Sequence, residues 1–172
     1  TLANIIYEYG DEVFSRRIAK NIAYERSIKK INSTSQLATI IRKSIPYSKK
    51  KIDPATKTFQ AIRIYLNNEI YELEKGLIAA EKSLKPDGIL AVISFHSIED
   101  RIIKKFLVDC SKSQADSRFL PENSKKNKSF EILTRKPISP SEKEIAINNR
   151  SRSAKLRVAK RTNSPSCFGE EE

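Results

Sequence analysis

The chain has 172 residues, enough for one domain with a small appendage, and its formal net charge is +12. This charge predicts a polyanionic partner such as nucleic acid or an anionic membrane surface, although a lysine-rich soluble protein would give the same total. The 4 glycines form no G-x-G or P-loop pattern, which excludes the usual dinucleotide and triphosphate cradles.

The first fifty residues predict short helices and no strand. An apolar stripe at helical spacing indicates a first helix that ends near Gly10. Ser33 and Gln36 fit a capping box, which predicts a later helix that stops before Pro46. We expect residues 1–50 to form a helical subdomain.

A basic linker follows over residues 42–51, RKSIPYSKKK. Such a run is either a solvated loop or a phosphate-contacting segment, and both interpretations stay open at this point. The cations that we assign to RNA here are Arg42, Lys43, Lys49, Lys50 and Lys51.

A long amphipathic helix is predicted over residues 54–84. Asp53 suits the N-cap and Pro54 the first helical position. Asn67 and Asn68 interrupt good helix formers, so the helix is expected to break or bend there. Residues 85–88, KPDG, then form a turn.

The segment 89–95, ILAVISF, is apolar without alternation, which favours a parallel strand covered on both faces. Ser97 is predicted to cap the following helix, with Asp100 at its third position. His96, the single histidine of the chain, lies between strand and helix. The carboxyl end of a strand is where α/β proteins bind ligands, so His96 is a candidate site residue.

The rest of the chain predicts a surface loop over 111–129, a strand over 130–135 and a helix that begins at Ser139. Residues 154–160, AKLRVAK, alternate apolar and basic side chains, as in an antiparallel strand with one solvent-facing side. Residues 163–172 are expected to be a disordered tail.

The 2 cysteines, Cys110 and Cys167, form no C-x-x-C motif and have no histidine at metal-ligand spacing. We therefore expect reduced thiols in a cytoplasmic protein and no metal site. No stretch approaches the roughly 20 apolar residues of a membrane-spanning helix, so no membrane span is predicted; nucleic acid, and no membrane, is the partner that we expect.

Three segments in this order carry a resemblance: KIDPATKTFQAIRIYLNNEI, SLKPDGILAVISFHSIEDRIIKKF and NNRSRSAKLRVA. They resemble the bacterial small-subunit (16S) ribosomal RNA cytosine-N4 methyltransferases, the methyltransferase H family. Two positions depart from that pattern: Asp53 replaces a common His or Asn, and Asn149 replaces the usual Pro.

The resemblance implies an α/β fold: the C-terminal part of a Rossmann-like class I methyltransferase sheet plus part of a helical insertion subdomain. Residues 51–162 would be the C-terminal half of the methyltransferase domain. The cofactor would be S-adenosyl-L-methionine. The glycine-rich loop that binds this cofactor in the family is expected upstream of Thr1, so no residue of this chain is assigned to the cofactor. A further N-terminal half of the same enzyme is an expected partner.

Four residues are expected to be catalytic: Ser94, His96 and Ser97, which would face the base pocket, and Asn67, which would contact the base or the cofactor side. Asn67 enters through the resemblance alone. Each has a structural alternative, since Ser97 could simply cap the helix and Asn67 could mark a solvated break. Glu99 and Asp100 could likewise serve only to complement the helix dipole.

A second basic segment near the C-terminus completes the predicted RNA track, with Arg150, Arg152, Lys155 and Arg157. A charged edge strand is the alternative. The expected function is N4-methylation of a small-subunit ribosomal RNA cytosine, with this chain on the substrate side. A non-catalytic basic RNA-binding fragment of such an enzyme is the second hypothesis. A DNA-binding helical protein is a third, and it leaves the apolar strand unexplained.

Overall fold

The structure, a computed structural model, describes residues 1–46, 53–112 and 128–168. Lys49, Lys50 and Lys51, most of the predicted loop at 111–129 and residues 169–172 lie outside this part. The chain divides into two compact units, Thr1–Ile70 and Tyr71–Glu172. No helix within the described ranges is long and apolar enough to cross a membrane.

The first unit consists of helices α1 (Leu2–Gly10), α2 (Ser15–Ile28), α3 (Thr34–Ser44) and α4 (Thr56–Leu66). Their apolar stripes meet in one core, which is why helices this short are stable together. The buried members of that core are Ile6, Ile18, Ile22, Ala38, Ile41 and Ala55.

Helix α4 packs closely against α1, although we expected it beyond a boundary at residue 50. A Cβ atom on Gly10 would lie 2.7 Å from the carbonyl oxygen of Lys57, so the contact needs glycine. Lys57 Nζ also donates a hydrogen bond to the carbonyl oxygen of Asp11 at 2.7 Å. Tertiary packing therefore places α4 in the helical unit.

The predicted cap at Ser33 is confirmed, because its Oγ accepts a hydrogen bond from the Gln36 N–H at 3.2 Å. The predicted N-cap at Asp53 is wrong, since α4 begins two residues further on, after Ala55. Asp53 instead accepts a hydrogen bond from the Ala55 N–H at 2.9 Å and stabilises the turn before the helix.

The predicted helix break is confirmed: α4 ends at Leu66 and α5 spans Glu69–Ser83. Asn68 has a φ of 53°, a left-handed conformation that asparagine tolerates better than most residues.

The second unit continues with β1 (Ile89–Ser94), α6 (Ser97–Ser111), β2 (Phe130–Ile132), α7 (Glu142–Ile147), a short 3-10 helix (Asn149–Ser153) and β3 (Lys155–Arg161). The start of α7 is capped by Ser141 and not by Ser139, because Ser141 Oγ accepts the Glu144 N–H at 3.2 Å.

The sheet has the order β1-β3-β2, and both pairings are antiparallel. The antiparallel prediction for β3 is confirmed. The prediction that β1 is parallel and covered on both faces is wrong within the described residues, since it pairs only with β3 and exposes more than half of Ile89 and Ile93. An apolar run does not specify the direction of its partner. The fold is therefore mixed α/β, and the Rossmann-like sheet order stays a prediction.

Residues 163–168 pack against the core of this unit, where we expected a disordered tail. The Phe168 ring stacks on the Phe106 ring with 5.4 Å between centroids. Cys167 is joined by a disulfide to Cys110 at the end of α6, where we expected two reduced thiols. Phe106 and Cys110 belong to the core of this unit, which the sheet and α5 complete.

Candidate functional site

The junction between β1 and α6 is organised by His96 and Glu99. His96 is the N-cap of α6, and its Nδ1 accepts a hydrogen bond from the Glu99 N–H at 3.3 Å. In return, Glu99 Oε2 accepts hydrogen bonds from the N–H groups of Phe95 at 2.8 Å and His96 at 3.3 Å. The predicted cap at Ser97 is therefore wrong by one residue, and Ser97 is the first residue of α6.

Both nitrogens of the His96 ring face Glu99. Because Nδ1 accepts a backbone N–H, the neutral ring carries its proton on Nε2. Nε2 is buried and lies 3.2 Å from Glu99 Oε1, within ion-pair distance but without the alignment of a hydrogen bond. The contacts of the imidazole therefore connect it to Glu99 and stabilise the β1–α6 junction.

Glu99 is ionised at neutral pH in this arrangement. Burial, the largest influence, would raise the pKa of the Glu99 carboxyl. The nearby His96 ring, with Nε2 3.2 Å from Glu99 Oε1, and the hydrogen bond from the Phe95 backbone together outweigh burial and hold that pKa below its usual value. The carboxylate can therefore accept the backbone N–H groups that fix the end of β1.

Ser94 and Phe95 face in different directions at this junction. Ser94 is 2% exposed, and its Oγ donates to the carbonyl oxygen of Lys155 at 3.4 Å. Phe95 is 57% exposed although its backbone is fixed by Glu99. Phe95 is a candidate surface contact that our sequence reasoning missed, because it was counted as part of the apolar run.

Asp100 forms a buried ion pair between α6 and β3. Its Oδ1 accepts from Arg157 Nε at 2.7 Å, and its Oδ2 accepts from Arg157 Nη2 at 3.2 Å and from Lys155 Nζ at 3.1 Å. The hydrogen bond from Arg157 is the main cause that lowers the pKa of Asp100, against the opposing effect of burial. Arg157 is 7% exposed, so this geometry favours a structural role for it over RNA contact.

Asn67 belongs to the first unit and lies at the end of α4. Its Nδ2 donates to Glu69 Oε1 at 3.2 Å, and the same carboxylate accepts two hydrogen bonds from Arg63, at 2.8 and 3.0 Å. Asn67 therefore takes part in an exposed local network at the helix break. The predicted residues that the fold brings together are Ser94, His96 and Ser97, all at the β1–α6 junction.

The predicted RNA-contacting cations have different environments. Arg42 is engaged with Asp53 through two hydrogen bonds, at 3.1 and 2.5 Å, whereas Lys43 is exposed. Arg150 and Arg152 are exposed around the short 3-10 helix, and Lys155 is partly exposed beside Asp100. Of the predicted cations within the described residues, those that are exposed are the ones that can reach the phosphate backbone of a nucleic acid.

A cavity of about 420 Å³ lies between α6 and the β2 region, and it presents cations that the sequence pattern did not reveal. They are scattered along the chain and form no run. Three of them are Lys104, Lys128 and Arg135, with Glu131 as the acidic residue of the lining.

A family model described as the MraW methylase family matches residues 1–162. The chain belongs to the MraW methylase family. It is 54% identical over 162 residues to the ribosomal RNA small subunit methyltransferase H of Rickettsia africae (strain ESF-5), a match that covers 92% of this chain and 53% of that relative. The relative of the same name from Rickettsia bellii (strain RML369-C) is 55% identical over 163 residues, with 93% and 53% covered. The chain therefore spans about half the length of the curated relatives it matches.

Methyltransferases need a methyl donor, and we tested whether the described residues could hold one. Gly10 and Gly76 lie inside helices, and Gly88 lies in the turn before β1. The connection from β1 to α6 consists of Phe95 and His96 and contains no glycine. Residues 1–46, 53–112 and 128–168 thus offer no glycine-rich cofactor loop, and no step of the chemistry is assigned to a donor held there.

Proposed function

We propose that this chain forms the RNA-side portion of an S-adenosylmethionine-dependent enzyme that methylates N4 of a cytosine in small-subunit ribosomal RNA. The observation that carries the proposal is the family match over residues 1–162, together with 54% identity to a relative named as a ribosomal RNA small subunit methyltransferase. The activity belongs to a complete protein that works in the cytoplasm, and its cofactor loop lies on a segment outside this chain.

Positioning is the main contribution that this chain makes to catalysis. Methylation of an exocyclic amine needs the amine aimed at the methyl group, and a reacting base must leave its stack to be reached. The His96–Glu99 cap holds the backbone of Phe95 rigidly while its ring stays exposed. We assign Phe95 a stacking contact with the target base or its neighbour, and His96 the role of positioning residue.

Phosphate contacts come from the exposed cations of each unit, taken separately. Lys43 serves the helical unit, and Arg150 and Arg152 serve the second unit. Lys104 and Arg135 add positive charge beside the α6–β2 cavity. Contacts of this kind give affinity that falls steeply with salt and carries little sequence information.

A non-catalytic RNA-binding protein of the same family is the second candidate. The lack of a glycine-rich cofactor loop among the described residues favours it for the chain taken alone. The two proposals share the RNA interface and differ in whether a completing segment restores methyl transfer.

Two measurements on the 172-residue chain test these proposals. Calorimetric titration with S-adenosylmethionine should show no binding, and one-to-one binding would refute the assignment of the cofactor to another segment. Titration with small-subunit ribosomal RNA should show affinity that falls between low and moderate salt. Affinity independent of salt would exclude the phosphate interface and both candidates with it.

A further inference from the structure

The 2 cysteines of the chain lie next to each other in the fold, although 57 residues separate them in sequence. Cys110 ends the buried face of α6, and Cys167 lies in the C-terminal segment 163–168. Their Cα atoms are 5.6 Å apart, inside the range of about 4.4–6.8 Å that a disulfide spans without moving the backbone. The fold therefore presents the two side chains to each other ready for cross-linking.

A buried carboxylate fixes the segment that carries Cys167. Glu81 is 0% exposed, and its Oε1 accepts the Cys167 N–H at 2.8 Å. Its Oε2 accepts a hydrogen bond from Ser166 Oγ at 2.9 Å. Arg161 Nη1 donates to the carbonyl oxygen of Ser164 at 2.7 Å, which fixes the start of the segment.

The same segment covers the core of the second unit. Phe168 stacks on Phe106, and both Cys167 and Phe168 pack against the buried apolar cluster. The segment is thus held by hydrogen bonds and ring stacking, which do not themselves need an oxidised sulfur, and by a disulfide, which does.

We propose that Cys110 and Cys167 form a reversible thiol–disulfide site that fastens residues 163–168 to the core when oxidised and lets them open when reduced. Disulfides that form in a reducing cytoplasm are mostly transient or redox-sensing, so this step rests on the cytoplasmic location proposed above. The proposal adds a redox-sensitive attachment to the proposed function and does not depend on methyl transfer.

The two cysteines have distinct roles in the exchange. Cys110 is 0% exposed, whereas Cys167 is partly exposed and is the sulfur that a small disulfide reaches. The Cys167 thiolate attacks oxidised glutathione and releases one glutathione thiol. The Cys110 thiolate then attacks the Cys167 sulfur, forms the internal disulfide and releases the second thiol. Two protein thiols are oxidised and one glutathione disulfide is reduced to two thiols.

The test uses the whole chain, without RNA or cofactor, so that its result is independent of the proposed enzymatic activity. The chain is equilibrated with mixtures of reduced and oxidised glutathione, free thiols are counted, and exchange of the Cys167 and Phe168 amides is followed by mass spectrometry. Oxidation should remove both free thiols. It should also slow exchange of these amides by roughly 30- to 1,000-fold, the range set by typical disulfide stabilisation.

Variants separate the disulfide from the other contacts. Cys110→Ser cannot close the internal disulfide, because Cys167 stops at the mixed disulfide with glutathione, so exchange of its segment should not be slowed at any glutathione ratio. Ser166→Ala is the matched control, because it removes a contact of the segment but keeps both sulfurs. It should exchange faster in both states and still respond to dithiothreitol.

Three results would overturn the proposal. The thiols could stay free in oxidised glutathione, or dithiothreitol could leave the exchange of the wild-type segment unchanged. The reduced chain could also bind one equivalent of zinc that Cys110→Ser loses, which would assign the Glu81, Cys110 and Cys167 cluster to a metal ion.

Discussion

The buried ion pair between Asp100 and Arg157 should govern the stability of the second unit. The side chains are 12% and 8% exposed, and two hydrogen bonds join them. Asp100→Asn keeps the shape of the side chain but leaves the guanidinium in the interior without a negative partner. Breaking a buried pair in this way costs about 3–5 kcal/mol. Since Lys155 also loses its partner but keeps access to water, we expect the lower end, about 3 kcal/mol.

Hydrogen exchange of the α6 amides is the assay, because it reports on the second unit by itself. A loss of about 3 kcal/mol in stability should speed exchange by about a hundredfold for those α6 amides that exchange only when the second unit unfolds. Asp87→Asn is the matched control: Asp87 forms an exposed pair with Lys160 on the same strand, at 2.6 Å, and should change exchange little. If the α6 amides exchanged at the same rate in Asp100→Asn as in Asp87→Asn, the argument from burial would be refuted.

The same pair predicts a pH dependence with a definite sign. The pKa of Asp100 is lower in the folded protein, chiefly because of the hydrogen bond from Arg157. The stabilisation is therefore fully present above the unfolded pKa of about 3.9 and is lost as the pH falls through the folded value. The difference between wild type and Asp100→Asn should stay constant near neutral pH and shrink below about pH 4. A difference that grows as the pH falls would contradict the sign.

Three further outcomes are expected. Gly10→Ala should lower the free energy of unfolding of the helical unit by about 1–3 kcal/mol, because the new Cβ would press on the backbone of α4. Gly76→Ala has open space around it and should be neutral or stabilising. Calorimetry that ranks the two variants the other way would exclude the close contact at Gly10. His96→Ala should cost about 1 kcal/mol in urea unfolding and His96→Asn should restore most of it, as expected for an N-cap; equal losses would indicate another role. Arg150→Ala with Arg152→Ala should weaken ribosomal RNA binding and reduce its salt dependence by about two counterions, which titrations at several salt concentrations would reveal.

The local features of the fold were accessible from sequence because short-range chemistry specifies them. The cap at Ser33 depends on residues three apart, and the break before α5 depends on Asn68, which tolerates the left-handed conformation found there. The antiparallel direction of β3 followed from its alternation of apolar and basic residues. Features of this kind need no knowledge of distant residues.

The cap of α6 shows where that reasoning stops. The sequence predicts a capping box at Ser97 with Asp100, whereas the structure forms it at His96 with Glu99. Asp100 is taken by Arg157 from β3, which leaves Glu99 to close the box with His96. The choice is made by a strand far away in sequence, so no local rule could find it.

Composition, helical stripes, turns and the family resemblance were all properties of the printed sequence, because each depends on residues close together in the chain or on a pattern of types. The tertiary structure alone decided which cations are buried, how β1 is paired and that Cys110 meets Cys167. The burial of a cation, the pairing of β1 and the pairing of the cysteines depend on what packs opposite a residue. That partner is chosen by the burial of apolar surface across the whole unit, which no local window contains.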